Sequence, residues 1–535
     1  MDIDCTYLPY SETGYFSDLV LDYIGNAPTT KDFYKYTPDA AGLQQAIADR
    51  GQYPVNRQTL VSTLQKQYAS LPVNDKVTAN IAALANDNTY TICTAHQPNL
   101  MTGYLYFIYK ILHAIKLADE LNAQHSDKHF VPVYYMGSED NDLEELGTFK
   151  YADRKFVWDA NGQTGAVGRM DTKSLKPVLD EFFRLLGPPG KHADELKEIV
   201  TNAYLKHKTV GAATQYLVHM LFGRYGLVVL DPDEAAFKQA ILPVLQDDLQ
   251  NHLAYGLVSE QIENIEEYYR AQAHPRLINL FYLKDNLRER IEKRGGKWIV
   301  LNTEIAWTEE EILAELTAHP ERFSPNVILR GIFQESILPN VAFIGGGAEV
   351  AYWLELKPLF EAYKVFYPVI LQRQSVQWIN AYQGKHRKQL GFSVGDVFRS
   401  EVALVREYLT RNGNDNWHTT EETAAMEGII TQLKEKAQVL DPTLRSSADA
   451  VLAKVRYQLQ VLEKKMLRAE KRKMQEQLQK IYTLKASIFP GNRLQERTDN
   501  FSGYYAAWGN DFFDAIYKAI KPLEAKFIVI EEQQI

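Results

Sequence analysis

The sequence predicts an α/β protein built on a doubly wound parallel sheet, followed by an α-helical coiled-coil region. Three observations carry this. Short apolar runs of strand length recur between helical stretches, the alternation of a parallel sheet. Those runs are apolar at successive positions, as strands buried on both faces must be. Past about Glu401 the strands stop and heptad spacing takes over.

Residues 1 to about 88 read as an N-terminal extension of helices and loops. Gln44–Arg50 and Thr59–Tyr68 have helical character, interrupted by Pro9, Pro28, Pro38, Pro54 and Pro72. Tyr90–Ala95 is the first strand, and His96-Gln-Pro-Asn-Leu-Met-Thr-Gly103 is a turn. Leu105, Ile108, Leu112 and Ile115 then fall at spacings of three and four, one face of a helix. Phe130–Met136 is the next strand, which completes the strand–helix–strand unit of a parallel sheet. Gly226–Asp231, Asn326–Arg330, Val341–Ile344 and Phe366–Leu371 read as further strands. Arg154–Met170, with Gly162, Gly165 and Gly168, reads as a hairpin insertion. Leu277–Thr303, with Gly295-Gly296, reads as a second one.

Leu452, Val455, Leu459, Leu462, Met466 and Ala469 keep a three-four rhythm, a coiled-coil seam. Pro442 and Pro490 bracket that helix, whose roughly 60 Å length requires it to project from the core. Glu421–Leu440 is its expected antiparallel partner. A further helix and the apolar strand Phe527–Ile530 follow. The expected organisation is an extension packing on the core (1–88) and a catalytic core (89–400) with insertions near 150–220 and 265–320. A helical coiled-coil domain (401–490) and a segment returning to the core (491–535) complete it.

The chain has 535 residues, more than the ~250–300 that one hydrophobic core sustains, so several units are expected. Its two cysteines, Cys5 and Cys93, make neither a disulfide framework nor a zinc site, which points to a reducing compartment. The acidic start Met1-Asp-Ile-Asp4 lacks a signal-peptide pattern, and no apolar run is long enough to span a membrane. A cytoplasmic location without membrane contact is expected. The net charge of -9 argues against a nucleic-acid-coating protein. Lys454–Lys485 carries ten Lys or Arg against three Glu, the pattern of an RNA-binding arm or of a solvated helix around a dimer seam. The second reading is preferred because aromatics do not interleave with the basic residues.

Four polar motifs fall at strand ends, where ligands of open α/β sheets bind. His96-Gln-Pro-Asn99 precedes a helix N-terminus, which suits phosphate; a simple capping turn is the alternative. It resembles the HxGH-type signature of nucleotidylyl transferases and class I aminoacyl-tRNA synthetases, with Pro98 for Gly and Asn99 for the second His. Glu139-Asp-Asn-Asp142 is a carboxylate cluster able to bind an amine or Mg2+, or else a solvated helix start. Gly345-Gly-Gly-Ala-Glu349 lets backbone approach a ligand closely. Arg373, in Gln372-Arg-Gln-Ser375, offers a two-pronged clamp for carboxylate or phosphate. Lys385-His-Arg-Lys388 is either a phosphate-binding loop or a solvated basic patch.

The run Thr94–Ile115, the run Pro132–Glu145, Phe323–Arg330, Ile344–Trp353 and Pro490–Arg497 resemble, in order, the bacillithiol biosynthesis cysteine-adding enzymes. That resemblance implies a Rossmann-like core with connecting-peptide insertions and a coiled coil that pairs subunits into a homodimer. It implies a ligase that adds cysteine to glucosaminyl-malate, with a nucleotide site. The chain departs from the family in having Asn141 where Glu-Asp-His-Asp is common, and Gly345-Gly-Gly-Ala for Gly-Gly-Pro-Gly. The cofactor expected is ATP with Mg2+, and no structural metal. His96, Asn99, Glu139 and Asp140 are the expected catalytic residues. His96, Gln97, Asn99, Gly103, Lys385 and Lys388 are expected to hold the nucleotide. Asp142, Arg330, Gly345, Gly346, Gly347, Glu349, Tyr352 and Arg373 are expected to hold substrate. The rival readings are a nucleotidylyl or aminoacyl transferase acting on RNA and a non-catalytic coiled-coil assembly protein.

Overall fold

The computed structural model describes residues 2–186, 190–412 and 418–533. They divide into two compact units. The first holds Tyr15–Trp378 together with Arg493–Ile530 and the N-terminal strand; the second holds Ile379–Asn492. The first unit is therefore discontinuous in sequence.

Along the first unit, strand β1 (Ile3–Pro9) precedes a helical stretch, and β2 (Thr89–His96) leads into helix α1 (Leu105–Gln124) and β3 (His129–Met136). A short hairpin, β4 (Thr148–Tyr151) and β5 (Arg154–Val157), comes before β6 (Val228–Leu230). Then come β7 (Leu280–Lys284), β8 (Leu287–Arg294), β9 (Lys297–Val300), β10 (Ala306–Trp307) and β11 (Phe323–Pro325). Helix α2 (Val327–Ile337), β12 (Asn340–Gly345), α3 (Gly347–Tyr363), β13 (Val369–Gln372) and β14 (Val376–Ile379) follow, and the late strand β15 (Lys526–Glu532) lies between β1 and β14.

The central sheet has the order β13-β12-β2-β3-β6, and its pairings are all parallel. Every residue of β3 after His129, and all of β12 and β13, is buried, which explains why these runs are continuously apolar. The chain builds β2, β3 and β6 outward on one side, then crosses to place β12 and β13 on the other. The switch of direction falls between β2 and β12, and it opens a crevice at the carboxyl ends of those strands. Residues before β2 are tied to this sheet: Tyr23 Oη donates to the Ile370 carbonyl, and Arg50 to the carbonyls of Leu338 and Asn340.

The second sheet, β10-β9-β8-β7-β11, is antiparallel throughout and occupies the stretch read as the second insertion. Gly295 and Gly296 turn β8 into β9 with φ of 57° and 77°.

Three readings need correction. The stretch up to residue 88 holds the strand Ile3–Pro9 as well as helices and loops. Asn326–Arg330 is not a strand. Asn326 caps helix α2 by accepting the Ile328 N–H, and the strand is Phe323–Pro325 just before it. The apolar run Val327–Leu329 lies on a helix with Ile328 and Leu329 buried, and so short an apolar run has no periodicity to tell the two apart. The first hairpin is Thr148–Val157, so it begins ahead of Arg154, and residues 158–170 are turns and a 3-10 segment.

In the second unit, α4 (Ala381–Gln389) precedes a hairpin of two long helices, α5 (Thr420–Leu440) and α6 (Leu444–Lys473). They run antiparallel: Arg456 pairs with Glu427 and Lys434 with Asp449, so partners converge towards the Asp441–Thr443 turn. The long helix breaks at Met474 (φ −107°, ψ 23°) before α7 (Gln475–Ile488). The heptad seam thus lies in a helical hairpin within one chain.

Candidate active site

The turn after β2 is held under backbone strain. Met101 (φ 52°) and Thr102 (φ 65°) both adopt left-handed conformations that cost an L-residue ~1–2 kcal/mol each. Its surroundings fix it in place. Tyr204 Oη accepts the Met101 N–H at 2.9 Å, and Asn500 Nδ2 donates to the carbonyls of Met101 and Gly103. The turn sends the chain from His96 into α1, whose second turn carries Lys110. The Lys110 ammonium donates to the Ala95 carbonyl at 2.9 Å and pairs with Glu349.

The loop after β3 supplies Asp140. Its carboxylate takes both terminal nitrogens of Arg330 and lies 3.4 Å from Arg288. Asn141 Oδ1 accepts from Arg288 at 3.0 Å, so this amide orients an arginine. From β12, the Gly346 N–H donates to Glu349 Oε2 at 2.8 Å as α3 begins. From β13, Arg373 is gripped by Glu496 through two bonds of 2.7 Å each.

These groups surround a cavity of about 540 Å³. Of the residues singled out in the sequence, the cavity wall includes His96, Gln97, Asp140, Arg330, Gly346, Gly347, Glu349, Tyr352 and Arg373. The others lie elsewhere. Asn99 is buried against Gly103 in the strained turn. Glu139 points away, to Lys238 and Ser324. Asp142 caps the single-turn helix Leu143–Leu146, and Gly345 ends β12. Lys385 and Lys388 are on α4 of the second unit, where Lys388 pairs with Glu531.

Tyr106, Lys110, Arg288 and Arg497 line the cavity as well and were not singled out. Lys110 had a signal: it is the one cation amid the apolar run Leu105–Ile115. Arg288 had none, because it is one of several basic residues in its segment.

Electrostatics differ sharply among these groups. Burial, with Lys110 and Arg373 nearby, pushes His96 well below the usual histidine range, so it is a neutral imidazole. Its Nε2 is buried without a partner. Burial pushes the Asp140 carboxyl up, but Arg330 and Arg288 outweigh it and hold it below its usual value. Burial lowers Lys110, partly offset by Glu349. Lys110, Arg288, Arg330, Arg373 and Arg497 face the cavity against only Asp140 and Glu349. Such a site favours an anionic ligand.

A parallel sheet with a charged crevice at its switch point, followed by a helical hairpin, defines a Rossmann-like enzyme core with a coiled-coil appendage. Residues 1–374 match the family described as "Bacillithiol biosynthesis BshC, N-terminal Rossmann-like domain", and residues 376–532 match its C-terminal coiled-coil domain. The chain belongs to the BshC family of bacillithiol biosynthesis. Three relatives share the name "Putative cysteine ligase BshC". That of Flavobacterium johnsoniae is 40% identical, over 99% of this chain and 100% of its own. That of Cytophaga hutchinsonii is 36% identical, over 95% of each chain. One from Bacillus cereus is 25% identical, over 96% of this chain and 98% of its own.

Proposed function

We propose that this protein is a ligase that joins L-cysteine to the amino group of glucosaminyl-malate, giving bacillithiol, with ATP and Mg2+ activating the cysteine carboxylate. The observation that carries the reading is the family match over residues 1–374 and 376–532, which a crevice rich in cations supports. Amide formation from a free carboxylate needs its oxygen to leave on a phosphate, and ATP supplies that chemistry. The residues present fit a nucleotide phosphate: His96 Nε2 and Arg373 Nε are buried polar atoms without partners, both on cavity-lining residues. Gln97, Gly346 and Gly347 would share in holding it.

The chain's own groups then take these roles. Neutral His96 acts by hydrogen bonding rather than by charge. Asp140, kept ionised by two arginines, orients the acceptor's amine, while Arg330 and Arg288 set the position of that carboxylate. Glu349 and Lys110 neutralise one another at the mouth of α3. Of the predicted pair Glu139 and Asp140, Asp140 is the one facing the ligand space.

We also propose that a second copy of the chain covers the helical hairpin. Met426, Ile429, Leu433 and Leu440 fall at heptad spacing on α5 and are each 40% exposed or more.

The test is mass spectrometry of products from the purified protein with cysteine, glucosaminyl-malate and Mg-ATP, each omitted in turn. A thiol of the condensed mass that requires all three is expected. No product from folded protein given all three would overturn the reading.

A further inference from the structure

Gly346 and Gly347 are glycines that the fold does not require. Gly346 has φ −77° and ψ 170°, open to any residue. A Cβ there would meet only Arg373 Nε and Glu349 Oε2, each at 3.5 Å. A Cβ at Gly347 would meet Val20 at 3.5 Å and Gln372 at 3.8 Å, ordinary contacts. What the absent side chains leave open is the approach to the backbone at the start of α3. The first i→i−4 bond there runs from the Val350 N–H to the Gly346 carbonyl. The amides of Gly347, Ala348 and Glu349 therefore have no acceptor within the helix, and the 17-residue helix concentrates partial positive charge on them.

A second observation points to the same place. Arg373 is 2% exposed and its terminal nitrogens are taken by Glu496, yet its Nε is buried with no acceptor. A buried charged donor left unmade is costly, and this one is, with Glu349 Oε2, one of the two atoms nearest the Gly346 position. Arg497 adds a third donor group. Its exposed guanidinium has no ion pair among the described residues and lies 6.0 Å from the Tyr106 ring, over which Arg373 also sits at 5.6 Å. Arg497, Gly347 and Ala348 form the wall shared by the cleft and a second cavity of about 1020 Å³. On the cleft side Glu349 is paired with Lys110, while the second cavity's lining carries Asp18, Glu266 and Glu267.

We propose that the N-terminus of α3, Arg373 Nε and Arg497 form an oxyanion subsite that holds a carboxylate or phosphate group of a substrate. The existence of the subsite is independent of the ligase reading; the name of its occupant rests on it. The malyl carboxylates of the acceptor and the phosphates of ATP share this chemistry. The subsite takes its ligand through backbone amides, one buried N–H and Arg497, so a methyl group at Gly346 stands in the ligand's place while making only ordinary contacts with the protein.

The test is calorimetric titration of the full chain with L-malate and, separately, inorganic pyrophosphate. At least one probe binds the wild type, and Gly346→Ala and Arg497→Gln each weaken it about tenfold or more. Malate binding assigns the subsite to the acceptor, pyrophosphate binding to the nucleotide. Arg497 is exposed, so Arg497→Gln reports even where Gly346→Ala perturbs folding, and thermal melting checks both. Absence of binding of either probe to the wild type at millimolar concentration overturns the proposal. So does wild-type affinity in both variants. Anion binding that responds to the variants without product formation refutes the ligase reading alone. Product formation with KM for the acceptor and for ATP unchanged in the variants refutes the subsite alone.

Discussion

Glu335 is a buried carboxyl with no ion pair among the described residues. Its Oε1 accepts from Gln334 and Asn340, and its Oε2 has no partner. Burial pushes it up to about 7, hydrogen bonds notwithstanding. In the unfolded chain a glutamate titrates near ~4.3. Between those values the folded state holds a proton that the unfolded state has released, so the group's stabilisation is full below the lower value and is lost as pH rises through the upper one. Glu335→Gln keeps an acceptor for both amides and removes the ionisation. It should raise the Tm at about pH 8, by the equivalent of ~1–3 kcal/mol, and leave it nearly unchanged at about pH 4. Melts at the two pH values check this; an equal effect at both would contradict the sign. His96 works in the opposite direction. Its depressed value means the unfolded chain takes up the proton first, so its contribution is present above ~6.5 and fades as pH falls.

At the scale of elements, the loop that carries Asp140 is held from outside. The Gly168 N–H donates to the Ser138 carbonyl and the Val167 N–H to the Asp140 carbonyl, both at 2.8 Å. A Cβ on Gly168 would lie 2.6 Å from the Ser138 backbone oxygen, which only a backbone shift relieves. Gly168→Ala should cost ~1–3 kcal/mol and lower turnover by displacing Asp140. Gly256→Ala, in a helix with nothing within 4 Å, is the control and should be neutral or slightly stabilising. Denaturant melts and product assays on the pair check this. On α5, the double change Ile429→Glu and Leu433→Glu should leave the hairpin folded and convert a dimer to a monomer, read by light scattering and circular dichroism. A monomeric wild type would remove the premise.

These elements also show what the sequence made legible. The strand ends were readable because parallel strands are uniformly apolar and stop at polar turns, so His96, Asp140, Gly346 and Arg373 could be named. Helix α2 was not, because Val327–Leu329 is as apolar as a strand and its cap, Asn326, is a single residue. Arg497 escaped because its position depends on a segment returning from far along the chain. The partnership of Arg288 with Asp140 depends on an antiparallel sheet whose register no local pattern encodes.

At the scale of the molecule, the first unit is interrupted by the second and closed again after Asn492. Its two chain ends meet: the Trp378 N–H donates to Gln495 Oε1 at 2.9 Å. A chain in which a short Gly/Ser linker replaces Ile379–Asn492 should therefore fold as the first unit and keep its anion binding. A cooperative melt and the malate and pyrophosphate titrations check this, and an unfolded product would show that the second unit is needed for folding.

The grip of Glu496 on Arg373 spans 123 residues of sequence, and Asn500 fastens the strained turn at Met101 from still farther along. A ribosome that has made the entire parallel sheet has therefore not yet made its cleft. Until the last tenth or so of the chain emerges, Arg373 lacks its counter-charge and the turn after His96 lacks its anchor. Synthesis that stops between Gln372 and Glu496 leaves a chain with every strand of the central sheet but without either of these ties to its cleft.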